Sequence, residues 1–111
     1  MQLDVREDGR VTTLCIEGDL VLGEPETEFK KVVSRLLEDG KLLLLIDCSK
    51  AGIVDSSGLG AIVRALSSSQ NEGGTAKLLG VQPRLKKLLD LTGLGSVFEI
   101  HTDREEALAS F

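Results

Sequence analysis

The sequence predicts one α/β domain over residues 1–111, with a mixed, mostly parallel sheet and four helices in the order β-β-α-β-α-β-α-β-α. Three observations predict it. Short apolar segments with strand character alternate with segments whose apolar residues recur at helical spacing, the pattern of a sheet covered by helices. Residues 42–46, Leu-Leu-Leu-Leu-Ile, are apolar on both faces, as in a strand buried between layers. Asp8-Gly9 separates the first two apolar segments, and Asp-Gly is a strong hairpin signal, so the sheet opens with an antiparallel pair.

Residues 3–6 and 11–17 read as the two hairpin strands, joined by a turn over residues 7–10. The first helix opens with Pro25 at its first position, where the missing N–H would go unsatisfied anyway. Phe29, Val32, Val33, Leu36 and Leu37 form its apolar stripe, and Gly40 stops it. The strand over residues 42–46 ends at Asp47, and residues 48–54 read as a loop. A second helix follows Asp55-Ser56-Ser57-Gly58, places Leu59, Ile62, Val63 and Leu66 on one side, and dissolves in Ser67-Ser68-Ser69. After a loop over residues 71–75, residues 76–79 read as a short central strand. Pro83 opens a third helix with Leu85, Leu88 and Leu89 inward, and Gly93 closes it. Residues 97–100 are the expected last strand. Thr102 and Glu105 form an expected capping box for a final helix, which turns Ala107, Leu108 and Phe111 to the core.

Composition narrows the function. Apolar residues make up 41% of the chain and aromatic residues 3%, so the core is aliphatic. With 13 basic and 18 acidic residues the net charge is −5, which a phosphate backbone repels. The longest basic cluster, Arg84 with Lys86 and Lys87, reads as the solvated face of a helix, so direct nucleic-acid binding is not expected. Cys15 and Cys48 lie in apolar strand patterns and read as buried thiols in a reducing compartment. The charged start Met1-Gln2-Leu3-Asp4 does not read as a signal peptide, and no segment approaches the ~20 apolar residues of a membrane span. A cytoplasmic location is the expectation. No cofactor or metal is called for.

The informative stretch is residues 47–60, which run from the end of a buried strand into a helix N-terminus. Such an end presents unpaired backbone N–H groups and a positive dipole. Asp and Ser oxygens satisfy those donors, so Asp55, Ser56 and Ser57 read from physics alone as caps. Gly58 and Gly60 leave room for a partner backbone or for close packing of helix on strand.

The run Asp55-Ser56-Ser57-Gly58-Leu59-Gly60 resembles the signature of the STAS domains of bacterial anti-sigma factor antagonists. The likeness extends back to Asp47-Cys48-Ser49 and forward to Gly74 and Gly93-Leu94. Together with element order and length, it covers nearly the whole chain. The resemblance implies a single STAS domain that is a binding module rather than an enzyme. It implies phosphorylation at Ser56 by an anti-sigma factor that doubles as a serine kinase, reversed by a phosphatase. The unphosphorylated form would bind the anti-sigma factor and free a sigma factor. Asp19, Asp55, Ser57, Gly58 and Leu59 are the implied partner-binding residues. The family often reads G-x-L-D where the second strand ends, whereas this chain reads Gly18-Asp19-Leu20-Val21. Val21 takes the place of that carboxylate; Asp19 is the candidate substitute, but its side chain alternates to another direction along an extended segment, so the departure bears on the identity of the partner more than on the fold.

Other readings carry less. Gly58-Leu59-Gly60 lacks the third glycine of a dinucleotide fingerprint, since position 63 is Val63, and there is no G-x-x-x-x-G-K-[ST]. Ser56 and Ser57 are in no G-x-S-x-G elbow, and the single histidine, His101, reads as a surface loop residue. The alternative within the fold is a STAS scaffold or regulatory subunit of a stress-sensing assembly or of a lipid or anion transport complex.

Overall fold

A computed structural model describes residues 1–111. The elements are β1 (Gln2–Asp8), β2 (Val11–Leu20), α1 (Glu24–Glu38), β3 (Leu43–Val54), α2 (Ser56–Asn71), β4 (Thr75–Leu79), α3 (Pro83–Leu91), β5 (Ile100–His101) and α4 (Arg104–Ala109). They form one sheet in the order β1-β2-β3-β4-β5, in which β1 and β2 are antiparallel and every later pair is parallel. The β-β-α-β-α-β-α-β-α order is the predicted one. The hairpin turn is a two-residue loop between the partners Asp8 and Val11, with Gly9 at φ +66°.

Alternation along the strands divides the core. Leu14, Ile16, Leu44, Ile46 and Leu78 pack with Phe29 and Val33 of α1, Ile62 and Ala65 of α2, and Leu85 and Leu89 of α3. On the opposite face Val11, Leu45 and Leu79 pack against Ala107 of α4, with Leu108 and Phe111 beside them. The apolar run of β3 therefore has a buried partner on each side, which is why it shows no polar face.

Several sequence expectations are corrected. The largest concerns residues 48–54, which continue β3 rather than form a loop. Glu17, Gly18 and Leu20 pair with Lys50, Ala51 and Val54, with register shifts between Cys15 and Glu17 and between Gly18 and Leu20. The shifts bury Cys48, Ala51 and Val54, a spacing of three that hides the two-residue alternation of a strand. The helix α2 runs through Ser67-Ser68-Ser69 instead of ending there. The Ser69 hydroxyl donates to the Leu66 carbonyl at 2.9 Å, so the helix itself satisfies it. The stop comes at Gly73, whose φ of +90° lets Gly74 N–H bond back to the Ser69 carbonyl at 2.8 Å.

Smaller corrections follow the same logic. Pro25 is the second residue of α1, not the first. The central strand is β3 rather than β4, because β5 pairs outside β4. The last strand is only Ile100–His101: Val97 is exposed, while Phe98 is buried as a loop residue of the core. His101 is a strand residue whose Nε2 lies 2.6 Å from Glu99 Oε2. Asp103, not Thr102, caps α4, accepting from Glu106 N at 3.0 Å. Both thiols are free. Cys48 is buried, and that burial pushes it up to about 12, whereas Cys15 is only half-buried.

Candidate functional site

The site lies at the carboxyl ends of the parallel strands, where β3 gives way to α2. Asp55 is extended, with φ −85° and ψ −176°, and is the N-cap. One carboxylate oxygen accepts from Gly58 N at 2.8 Å, and the other accepts from Leu22 N at 3.0 Å. A single side chain thus closes the first turn of α2 and fastens the segment leaving β2 to it. These bonds, Gly58 N–H first and Leu22 N–H second, hold the Asp55 carboxyl below its ordinary range.

Ser56 and Ser57 are the first two residues of the helix, so Asp55 alone makes the side-chain cap. Ser56 is exposed and Ser57 half-buried. The reading of both serines as caps is not what the structure shows.

The two glycines separate into different roles. A Cβ on Gly58 would run into the carbonyl oxygen of Leu20, so glycine is needed there for close packing of α2 on β2. A Cβ on Gly60 would meet nothing within 4 Å. Leu59 is 3% exposed and belongs to the large core. Of the residues singled out from sequence, Asp19, Asp55, Ser56 and Ser57 reach the surface, while Gly58 and Leu59 support it from below.

Asp19 is exposed, and its Oδ1 accepts from Ile53 N at 2.8 Å. It joins the irregular end of β2 to the irregular end of β3. A Cβ on Gly52 would strike that same oxygen, so the bond depends on the bare glycine backbone.

Three residues at this corner carry no sequence motif. Leu22 is 70% exposed and Ile53 46% exposed, both unusual for large apolar side chains in structured segments. Arg84, on the first turn of α3, lines with Asp19, Ile53 and Val54 a groove of about 330 Å³. Gln82 fixes the groove wall by donating its amide to the Ser49 and Ala51 carbonyls at 2.7 and 3.2 Å. The available signal was an apolar Leu22 directly before Gly23, where a turn residue would be polar. No group of His, Cys, Asp and Glu is arranged to hold a metal ion, and no helix is long and apolar enough to cross a membrane.

Comparison with known proteins places this geometry. The STAS domain profile matches residues 2–107. The anti-sigma-B factor antagonist of Bacillus subtilis is 29% identical over 106 residues, covering 95% of this chain and 94% of that protein. The chain spans about half the length of the Listeria relatives it matches: the anti-sigma-B factor antagonist of Listeria monocytogenes is 36% identical over 59 residues, 53% of this chain and 52% of that one. A crystal structure from Thermotoga maritima, described as an anti-sigma factor antagonist, superposes with a TM-score of 0.90 at 27% identity, over 97% of this chain and 92% of that one. The phosphorylated form of the Bacillus cell fate determinant SpoIIAA shares the fold, with a TM-score of 0.80 at 19% identity over 98% of each chain. The exposed serine after a capping aspartate, the five-stranded sheet and the profile match agree: this chain belongs to the STAS domain family.

Proposed function

We propose that this chain is an anti-sigma factor antagonist switched by phosphorylation of Ser56. The observation that carries the reading is the exposed Ser56 at the first position of α2, free of the cap that Asp55 makes. The names of the relatives at 29% and 36% identity support it, as does the phosphorylated form known for SpoIIAA.

The partner is an anti-sigma factor with serine kinase activity, and a phosphatase resets the switch. In the forward step Ser56 Oγ forms a bond to the γ-phosphorus of ATP as the bond to the bridging oxygen of ADP breaks. The hydroxyl proton leaves to a base of the kinase. This chain supplies the acceptor and is a binding module rather than the catalyst; it works in the cytoplasm.

The charge change explains the switch. Phosphate adds about −1.5 to −2 at neutral pH. In the free domain that charge sits in water at a helix N-terminus, which favours it, beside the Asp55 carboxylate, which opposes it. Inside an interface the same charge is desolvated without a partner, and that costs several kcal/mol. Asp55 and Ser57 flank the acceptor in the chain, Asp19 holds the Ile53 N–H of the preceding strand, and Gly58 and Leu59 pack the start of α2 onto the core; these are the residues the partner meets or depends on. Phosphorylation therefore ends binding without unfolding the domain.

Incubation with the anti-sigma kinase and ATP, followed by peptide mass spectrometry, tests the reading. One phosphate on Ser56 is expected. Phosphate found only on Ser57 or within Ser67-Ser68-Ser69 overturns it.

A further inference from the structure

Beside Ser56 the surface is apolar where a switch built on charge alone would be polar. Leu22 and Ile53 are two of the five large apolar side chains left exposed in the whole chain. Leu22 follows the end of β2 and Ile53 lies near the end of β3, and those two ends pair at Leu20 and Val54. Asp55 holds Leu22 N at 3.0 Å and Gly58 N at 2.8 Å, so Leu22 is one side chain away from the turn that displays Ser56. Ile53 precedes Asp55 by two residues, and its N–H is held by Asp19.

The carboxylates of this corner are committed to the fold. Both Asp55 oxygens accept backbone N–H groups, and Asp19 accepts from Ile53. The cation of the adjoining groove, the exposed Arg84, is not so committed. A standard interface covers about 800 Å² on each partner, a disc of about 16 Å radius. The domain measures 30 × 29 × 23 Å, so a disc of that size around Ser56 is as wide as the domain. An interface of standard size centred on Ser56 therefore reaches Leu22, whose N–H shares the Asp55 carboxylate with the first turn of α2, and Ile53, three residues before Ser56.

We infer that Leu22, Ile53 and Arg84 form the docking element that selects the phosphorylating partner, and that its occupant is a segment of the anti-sigma kinase carrying an apolar side chain beside a carboxylate. The apolar side chain covers Leu22 and Ile53, and the carboxylate pairs with Arg84. This rests on the reading of Ser56 as the phosphoacceptor, and it adds what the partner must present. Apolar contact supplies affinity through buried area, while the ion pair at the groove rim sets register and partner choice.

The test separates docking from phosphate transfer. Purified anti-sigma kinase is titrated calorimetrically into the wild type, Leu22→Asp, Leu22→Ser, Ile53→Asp and Arg84→Glu without ATP. Phosphorylation rates are then measured with ATP. Lys31→Glu, on the outer face of α1, is the control. Tenfold or greater loss of affinity is expected for Leu22→Asp, Ile53→Asp and Arg84→Glu, with a smaller loss for Leu22→Ser. The KM of phosphorylation rises in parallel, kcat stays within about twofold, and thermal melts of the Leu22 and Arg84 variants match the wild type. Affinities equal to the wild type in the Leu22 and Arg84 variants overturn the inference, even if Ser56 is phosphorylated. Loss of affinity in those variants upholds the docking element, even if the phosphate is found on another serine.

Discussion

At the residue scale, one carboxylate organises the site and leaves its neighbour free. Asp55 supplies both bonds that close the corner, so the Ser56 side chain makes no part of the cap and its replacement is expected to leave the fold unchanged. Ser56→Ala is expected to fold within about 0.5 kcal/mol of the wild type and to bind the anti-sigma factor. Ser56→Asp is expected to melt at the same temperature and to bind at least tenfold more weakly, because its charge is buried only in the complex. Calorimetric titration beside thermal melts reads both quantities. Equal affinity of Ser56→Asp and wild type would falsify the switch. Gly58 responds in the opposite way. Gly58→Ala drives a methyl group into the Leu20 carbonyl, and backbone does not yield as a flexible side chain would. A destabilisation of about 1–3 kcal/mol is expected in chemical denaturation. A neutral Gly58→Ala would show that α2 can lift off β2.

At the element scale, legibility followed the period of the pattern. The order of all nine elements could be read, because β1, β2 and the first half of β3 keep the two-residue alternation or its doubly buried form, and α1 and α3 keep a clean apolar stripe. The second half of β3 could not be read. Its register shifts leave Ser49, Lys50, Gly52 and Ile53 outward and bury every third residue, which no strand template matches. In α2 the serine run looked like a terminus, yet tertiary packing and the Ser69 bond to Leu66 override weak propensity. The same lesson holds for the site. Asp55, Ser56 and Gly58 were legible as a motif, whereas Leu22 and Ile53 depend on how two strand ends are brought together. The last element shows a further device that one sequence position cannot reveal. Lys77 on β4 is 8% exposed, and its ammonium donates to the Ser110 carbonyl at 2.7 Å and the Ser110 hydroxyl at 3.0 Å. It also lies 2.8 Å from Glu99 and over the Phe111 ring at 4.7 Å. The six-residue α4 is too short to hold by itself, so Lys77 and Arg104, which pairs with Asp8 at 2.8 Å, fasten it. Lys77→Ala is expected to speed amide exchange in residues 104–110 by tenfold or more while leaving α2 protected. Uniform acceleration across the chain would mean instead that Lys77 supports the global fold.

At the scale of the whole molecule, the acidic balance of the chain becomes a stability profile. Four carboxyls, Glu7, Asp8, Asp55 and Glu99, are held below their ordinary values. The causes differ. For Glu7 the first is the Lys41 bond, for Asp8 the Thr13 hydroxyl, for Asp55 the Gly58 N–H, and for Glu99 the Lys77 ammonium followed by His101. Glu99 falls to about 2 from an ordinary 4.5. The fold thus favours the ionised form of each group more than the unfolded chain does. Their contribution is present in full above the unfolded values and is lost as pH falls through the folded ones. Stability to urea is therefore expected to be nearly flat from about pH 7 to 5 and to decline from about pH 4.5 toward 2. The Glu99 side chain is 52% exposed, so its share is screened and shrinks as salt is added. Glu99→Gln removes the group with the largest displacement and retains its shape. It should lower stability above pH 5, where the ionised group contributes in full, and bring the two curves together toward pH 2, so that the acid limb flattens, most clearly at low ionic strength. An acid limb identical in Glu99→Gln and wild type would place the acid sensitivity in the other three carboxyls, and so at the hairpin, its Asp8–Arg104 link to α4 and the Ser56 corner rather than at the Lys77–Glu99 pair.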